Sequence, residues 1–404
     1  MSHVEILTGN QAAAIGARLC RVQVVSAYPI TPQTSLTESL SQSIESGELK
    51  AEYIRVESEH SALTVCISAS SVGARAFTST SSHGLLYMHE QLHWAAGSRL
   101  PIVMCCVNRS VGAPWSIFND QQDAIAQRDT GWIQLYCRDN QEIVDTLIQA
   151  FRIAEQVYVP IMVCYDGFVL SHTNMPVEIP DADVVDAFLP PYKPRAILCP
   201  ENPRNINPVI FPWRRPDAKG NLRDGYMELR YKLQAALDES RNIINEVSRA
   251  YAGTFGRDHG GLLWTYQADD AEVLFAAMGS IATEATTAVD TLRNQGLKAG
   301  VAGIRSYRPF PRAEVREALK GAHTVLVLEK DISYGYEGAL CSDIKAALYG
   351  SDIRPSIHNI VAGLGGRDVK AREIVEAAQA ALESISQGER EQTTWLNCRQ
   401  GSWL

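Results

Sequence analysis

Arg75–Arg109, RAFTSTSSHGLLYMHEQLHWAAGSRLPIVMCCVNR, holds one complete strand–helix–strand repeat. Its first strand, Arg75–Ser79, runs into five consecutive hydroxyl residues, Thr78 to Ser82. A helical period follows over Leu85–Gly97, and Pro101–Val107 is a near-continuous apolar strand that ends on Asn108 and Arg109. Two strands this apolar, joined through a helix, predict neighbours running parallel in a sheet covered on both faces. The rhythm repeats outward. Strands read at Val22–Ala27, Tyr53–Val56, Ile133–Tyr136 and Val159–Tyr165, and helices over Ser58–Ser71 and Asn140–Glu155. The fold class is therefore α/β with a doubly wound sheet, in which ligands bind beyond the carboxyl ends of the strands.

Residues 171–225 break the pattern with a proline-rich arm of no regular period, followed by a helix near 225–251. A second βα unit occupies 256–385, with strands near Glu272–Met278, Leu297–Ile304, Thr324–Leu328 and Pro355–Ile360. Its helices read near Ile281–Gln295, Arg312–Lys320 and Gly338–Tyr349. Residues 386–404 form an extended tail whose two tryptophans suit docking on another subunit. The expected division is thus a first domain over 1–255, a second over 256–385, and the tail.

Length and composition bound the function. The 404 residues are 46% hydrophobic and 21% charged, enough apolar material for two or more cores. A net charge of −9 offers no excess of cations to displace counterions from nucleic acid. No apolar run approaches the ~18 residues of a membrane span, and MSHVEILTGN lacks the features of a signal peptide, so a cytoplasmic protein is expected. The nine cysteines, most of them in apolar segments such as Cys66, Cys105, Cys106 and Cys164, form no C-x-x-C pair. They read as reduced, buried thiols, and neither a zinc ribbon nor an iron–sulfur cluster is written into this chain.

Several motifs are read against plainer alternatives. His89-Glu90-Gln91-Leu92-His93 matches H-E-x-x-H, and its two imidazoles at i and i+4 could hold zinc in a peptidase. Arg99 stands where the extended motif needs a third ligand, which makes the match a decoy. No phosphate-binding glycine loop or nucleophile elbow occurs, and Gly363-Leu364-Gly365-Gly366 reads as a turn. Three strand ends carry more. Tyr28-Pro29-Ile30-Thr31-Pro32 places Thr31 as a helix N-cap with its hydroxyl toward the crevice. Glu57-Ser58-Glu59-His60 opens a helix with two carboxylates, one a dipole-friendly decoration and the other drawn inward. Asn108-Arg109 sets a fixed cation where an anionic substrate would sit.

These residues, in this order, resemble the 2-oxoacid:ferredoxin oxidoreductase family. The resemblance rests on Gly9-Asn10, Tyr28–Pro32, Glu57–Ala62, Thr80–Leu85, Asn119–Asp123, Gln127–Trp132, Asp166-Gly167-Phe168, Tyr307–Pro311 and Gly335–Leu340, and spans nearly the whole chain. It implies an alpha-type subunit built of a pyrimidine-binding domain of the thiamine-diphosphate type and a transketolase C-terminal-like domain. Thiamine diphosphate would be shared with a beta-type subunit that holds its diphosphate, magnesium and a [4Fe–4S] cluster. Gamma- and delta-type subunits, further clusters, coenzyme A as co-substrate and ferredoxin as electron acceptor complete the implied system. The missing G-D-G…N motif and cluster cysteines agree with that division of labour.

By motif match, Glu59 is the carboxyl that protonates the pyrimidine N1′, with Glu57 the fallback. Tyr28, Pro29, Ile30 and Ser82 would line the cofactor, while Thr31 and Arg109 would hold the substrate carboxylate. The implied reaction is reversible oxidative decarboxylation of pyruvate to acetyl-CoA. The same chemistry on 2-oxoisovalerate, oxalate or 2-oxoglutarate is the alternative. A 2-oxoglutarate enzyme needs a second cation; these motifs offer no evident candidate, and Arg128 is the one residue left open.

Overall fold

The computed structural model describes residues 2–195, 197–198, 212–216, 220, 222–388 and 393–399. About a third of the proline-rich arm, chiefly residues 199–211, and the last tryptophan of the tail lie outside them. The first unit is built on a seven-stranded sheet. Its spatial order is Ser306–Arg308, Ile133–Tyr136, Ile161–Asp166, Val103–Asn108, Ala76–Thr80, Val24–Ser26 and Glu52–Ile54. All neighbours run parallel except Ser306–Arg308, which is antiparallel to Ile133–Tyr136. Every residue of Val103–Asn108 and Ile161–Asp166 is buried, as expected of central strands covered on both faces.

The helices cover those faces. Asn140–Val157 is capped by Asp139, whose carboxylate accepts the Glu142 amide at 2.8 Å. It packs on Gly9–Leu19 and on the thirty-residue helix Tyr226–Phe255. Gly9–Leu19 carries a capping box, with Thr8 and Gln11 bonded reciprocally. Its inner face is Ala12, Ala13, Gly16 and Ala17, and a Cβ at Gly16 would stand 3.0 Å from Leu147. Small residues there set the closeness of the two helices. The stretch read as one helix over Leu85–Gly97 is two, Ser82–Tyr87 and His89–Gly97, meeting at Met88.

The second unit is a six-stranded sheet in the order Leu263–Tyr266, Ala299–Ile304, Val273–Ala277, Thr324–Glu329, Ser356–Val361 and Thr393–Trp395. Only Leu263–Tyr266 is antiparallel to its neighbour. Part of the stretch read as an extended tail is therefore a strand of the chain's own sheet, paired with Asn359–Val361.

The two sheets meet at the carboxyl ends of their strands. Asp166 follows Tyr165 out of the first sheet, and Lys330 follows Glu329 out of the second; their Nζ–Oδ2 distance is 2.9 Å with both side chains buried. Ser280, which opens the helix after Val273–Ala277, donates its hydroxyl to the same carboxylate. Arg305, fully buried, adds a bond of 2.7 Å from Nε to Glu142 in Asn140–Val157. The strand Ser306–Arg308 begins at the next residue, so the second unit contributes an edge strand to the first sheet.

Seven of the eight described cysteines are buried and all are free thiols; burial pushes Cys20 and Cys66 up to about 12. Among the described residues no helix is long and apolar enough to cross a membrane.

Candidate active site

The site forms where the first sheet's strands end. After Val24–Ser26 the chain turns through Tyr28–Gln33 before the helix Thr34–Glu45. Thr31 is therefore not the N-cap the sequence suggested; Gln33 occupies that position without capping through its side chain. Gln33 instead reaches Ser79 at 2.5 Å, tying the turn to the next strand's exit. Asn10 holds the turn from below, donating to the Pro32 carbonyl at 2.7 Å and accepting from the Tyr165 hydroxyl at 2.8 Å. The turn thus presents Tyr28, Pro29 and Thr31 to solvent, with Ile30 half-buried. The Thr31 hydroxyl has no hydrogen-bond partner among the described residues.

Arg109, 4% exposed, stands beside that turn. Its Nη1 donates to the Thr31 carbonyl at 2.9 Å and its Nε to the Ser116 carbonyl at 3.2 Å. Burial lowers the guanidinium from its ordinary range, opposed by Asp123. The Trp115 ring lies 5.7 Å from the guanidinium carbon, and Phe118 packs on Phe168 with ring centres 5.0 Å apart. The structure therefore brings Thr31 and Arg109 together, with the Trp115 ring against the guanidinium.

Glu59 is the first residue of the helix Glu59–Ser71, whose N-cap is Ser58. The two carboxylates quoted from sequence separate here. Glu57 lies outside the helix, exposed, and accepts the Ser61 hydroxyl, which holds its carboxyl below the usual range. Glu59 is 9% exposed and its carboxylate has no hydrogen-bond partner among the described residues. It faces Gly84, where a Cβ would come within 2.7 Å of Oε1 and 2.4 Å of Thr80 Oγ1. The Thr80 hydroxyl is itself buried without a partner. Glu59 and Thr80 therefore bring unpaired polar atoms together against a glycine, and such atoms call for a polar partner.

Ser82 is fully buried at φ +47°, and its hydroxyl donates inward to the Ser110 carbonyl at 2.5 Å. Its neighbour Ser81 caps the helix Ser82–Tyr87 in sequence only, since its hydroxyl donates to the Val107 carbonyl at 2.6 Å. Asp123, the last residue of the Asn119–Asp123 motif, lies between the two strand exits, fully buried. Asn10 and Asp123 act on backbone groups, and Gln33 on a side-chain hydroxyl, far away in sequence, and no local periodicity marks such partners.

The histidine pair behaves differently from a metal site. His89 bonds Gln127 at 2.5 Å, His93 meets the His89 ring edge-on at 5.0 Å, and Glu90 pairs with His60 at 3.5 Å. Among the described residues no group of three or more His, Cys, Asp or Glu is placed to hold a metal ion. Arg128 lines a different cleft, with Arg230, Arg241 and Arg308.

Residues 15–249 match the family described as pyruvate flavodoxin/ferredoxin oxidoreductase, thiamine diphosphate-binding, and 271–374 match pyruvate:ferredoxin oxidoreductase core domain II. The chain belongs to the 2-oxoacid:ferredoxin oxidoreductase family. It is 43% identical over 398 residues to ketoisovalerate oxidoreductase subunit VorA of Pyrococcus abyssi, covering 98% of both chains. It is also 43% identical over 405 residues to pyruvate synthase subunit PorA of Methanocaldococcus jannaschii, covering 99% of both. In fold it resembles a 2-oxoglutarate:ferredoxin oxidoreductase from Magnetococcus marinus, with a TM-score of 0.70 at 19% identity, covering 93% of this chain and 65% of that one. A split-gene transketolase aligns with a TM-score of 0.52 at 13% identity over 92% of this chain and 98% of the other. The expected resemblance and fold class are thereby borne out.

Proposed function

We propose that this family member is the alpha-type subunit of a cytoplasmic pyruvate:ferredoxin oxidoreductase. It would work with beta-, gamma- and delta-type subunits, sharing thiamine diphosphate with the beta subunit. Pyruvate and coenzyme A would give acetyl-CoA, carbon dioxide and a proton, with two electrons passed through the partners' [4Fe–4S] clusters to ferredoxin. The observation that carries the reading is Glu59: a buried carboxylate without an internal partner, held so close to the helix Ser82–Tyr87 that only a glycine fits at position 84.

Thiamine diphosphate, when bound, supplies the carbon nucleophile and electron sink for decarboxylation. Glu59 would meet the N1′ edge of its pyrimidine and hold a proton there, with Tyr28, Pro29 and Ile30 flanking the ring and Ser82 behind. Arg109 would orient the substrate carboxylate through charge-assisted hydrogen bonds, and the Thr31 hydroxyl would donate to the same substrate. Magnesium and the diphosphate belong to the partner, because this chain carries no motif for either.

Pyruvate is favoured by the setting of Arg109. One cation serves one carboxylate, and the rings of Trp115, Phe118 and Phe168 suit a small neutral side chain. Full-length relatives named for ketoisovalerate favour 2-oxoisovalerate as the second reading.

The test is 2-oxoacid-dependent reduction of a low-potential dye by the complex purified without oxygen. Pyruvate, 2-oxobutyrate, 2-oxoisovalerate, 2-oxoglutarate and oxalate are compared with and without coenzyme A. Pyruvate should lead; Glu59→Gln should lose about a hundredfold or more in rate, and Glu57→Gln should stay within about twofold. Leadership by 2-oxoisovalerate installs the second reading. An intact, thiamine-loaded complex inert to all five overturns both.

A further inference from the structure

Two adjacent strands of the first sheet, Ala76–Thr80 and Val103–Asn108, lead into Ser82 and Arg109, and one oxygen atom joins those exits. Oδ2 of Asp123 accepts the Ser82 amide at 2.9 Å and the Arg109 amide at 3.0 Å. Oδ1 accepts Asn108 Nδ2 and the Ala124 amide, each at 2.8 Å. These four N–H bonds, and the longer one from the Cys106 thiol to Oδ2 at 3.8 Å, converge on a side chain with no solvent exposure. Burial raises its carboxyl above the ordinary range, against the pull of those same donors.

Each bonded amide leads to a different half of the proposed chemistry. Ser82 sits at φ +47°, a conformation that L side chains adopt at a cost and keep only when their surroundings hold them. It opens the helix whose Gly84 backs the Glu59 carboxylate. Arg109 carries the cation beside Thr31. A shift of Oδ2 moves both at once.

We propose that Asp123 is a positioning residue that sets the spacing between the Glu59 side of the site and the Arg109 side. The assignment rests on the function proposed above. A carboxylate suits the place because four donors need four lone-pair sites, and an amide offers acceptors on one oxygen only. In Asp123→Asn the single oxygen can keep Ser82 and Arg109 or Asn108 and Ala124, but not all four.

The experiment uses the assembled complex with Asp123→Asn, and with the exchange Asn108→Asp/Asp123→Asn, which restores that side-chain pair with donor and acceptor reversed. Amide hydrogen exchange by mass spectrometry reads peptides covering 80–87 and 107–112, with 161–166 as the internal reference. The single variant should lose about tenfold in protection in the first two and nothing in the reference. In the same protein the KM for the 2-oxoacid should rise and kcat fall, each about tenfold, since small misplacements of positioned groups cost this much or more. The exchange variant should regain both. Protection lost evenly across the sheet, or kinetics moved only in proportion to lost folded complex, overturns the proposal. If the single variant does not assemble, the exchange variant decides: regained assembly and amide protection without either kinetic parameter overturns it. A wild-type complex inert to every 2-oxoacid refutes the reaction instead, and the exchange data still decide whether Asp123 couples the two segments.

Discussion

Arg109 has five N–H donors, of which Nε and one on Nη1 are taken by the Ser116 and Thr31 carbonyls. Those two bonds aim the rest of the fork, so the cation is pre-oriented before any anion arrives. A lost hydrogen bond to a charged group costs about 1.5–3 kcal/mol. Arg109→Gln should therefore raise the KM for the 2-oxoacid by about ten- to a hundredfold. Steady-state dye reduction checks this, and an unchanged KM would remove Arg109 from the substrate site. At this scale the sequence shows which residue types stand at the strand exits but not which way they face. Glu57 and Glu59 are two residues apart, and only the helix start at Glu59 turns one inward and leaves the other in solvent. Asn10 and Gln33 were less legible still. Their work is to satisfy the Pro32 carbonyl and the Ser79 hydroxyl, partners that sequence proximity does not mark.

The segment Ser116–Gln121 leads from the Arg109 loop to the helix Gln122–Ile125 and docks on the glycine-rich turn of the second unit. Gly366 donates to the Asn119 carbonyl at 2.6 Å and Gly365 to the Asp120 carboxylate at 3.3 Å, so the turn read from sequence has an interface role as well. Burial, with Asp123 and Asp331 nearby, pushes Asp120 up to about 7. The folded chain then holds this proton more tightly than the unfolded chain does. Stability falls as pH rises from about 4, the unfolded value, to about 7, and levels off above. The span corresponds to about 4 kcal/mol. Asp120→Asn should shrink the difference in unfolding midpoint between pH 5 and pH 8, by making the pH 8 protein more stable. Melts of both proteins at both pH values check it, and an undiminished difference assigns the dependence to other groups. Elements themselves were legible where large apolar residues keep a period. The helix Gly9–Leu19 escaped because its inner face is alanine and glycine, and the bend at Met88 because neither glycine nor proline marks it.

Alternating strands and helices foretold two parallel α/β units, but not how they are joined, because the joining contacts tie residues far apart in the chain. Ser306–Arg308 leaves the second unit to pair with Gln134 and Leu135, and nothing in its three residues announces that partner. The same holds for Lys330 and Asp166, which lie in different sheets and meet where the strands of both end. Burial alone would raise the Asp166 carboxyl, yet Lys330 and the Ser280 hydroxyl outweigh it and hold it below its ordinary value. Removing one member leaves the other charged and buried, which costs about 3–5 kcal/mol, whereas removing both leaves little to desolvate. Lys330→Met should therefore lower the unfolding midpoint markedly, and Lys330→Met/Asp166→Asn should recover most of the loss. Because Asp166 immediately precedes Gly167, where a Cβ would stand 2.8 Å from Pro32, the single variant should also disturb the Thr31 turn and raise the KM for the 2-oxoacid. Thermal melts and kinetics on the three proteins separate the two effects. A single variant as stable as wild type would show that the sheets are held together by their other contacts, the buried Arg305–Glu142 pair among them, and not by Lys330 and Asp166.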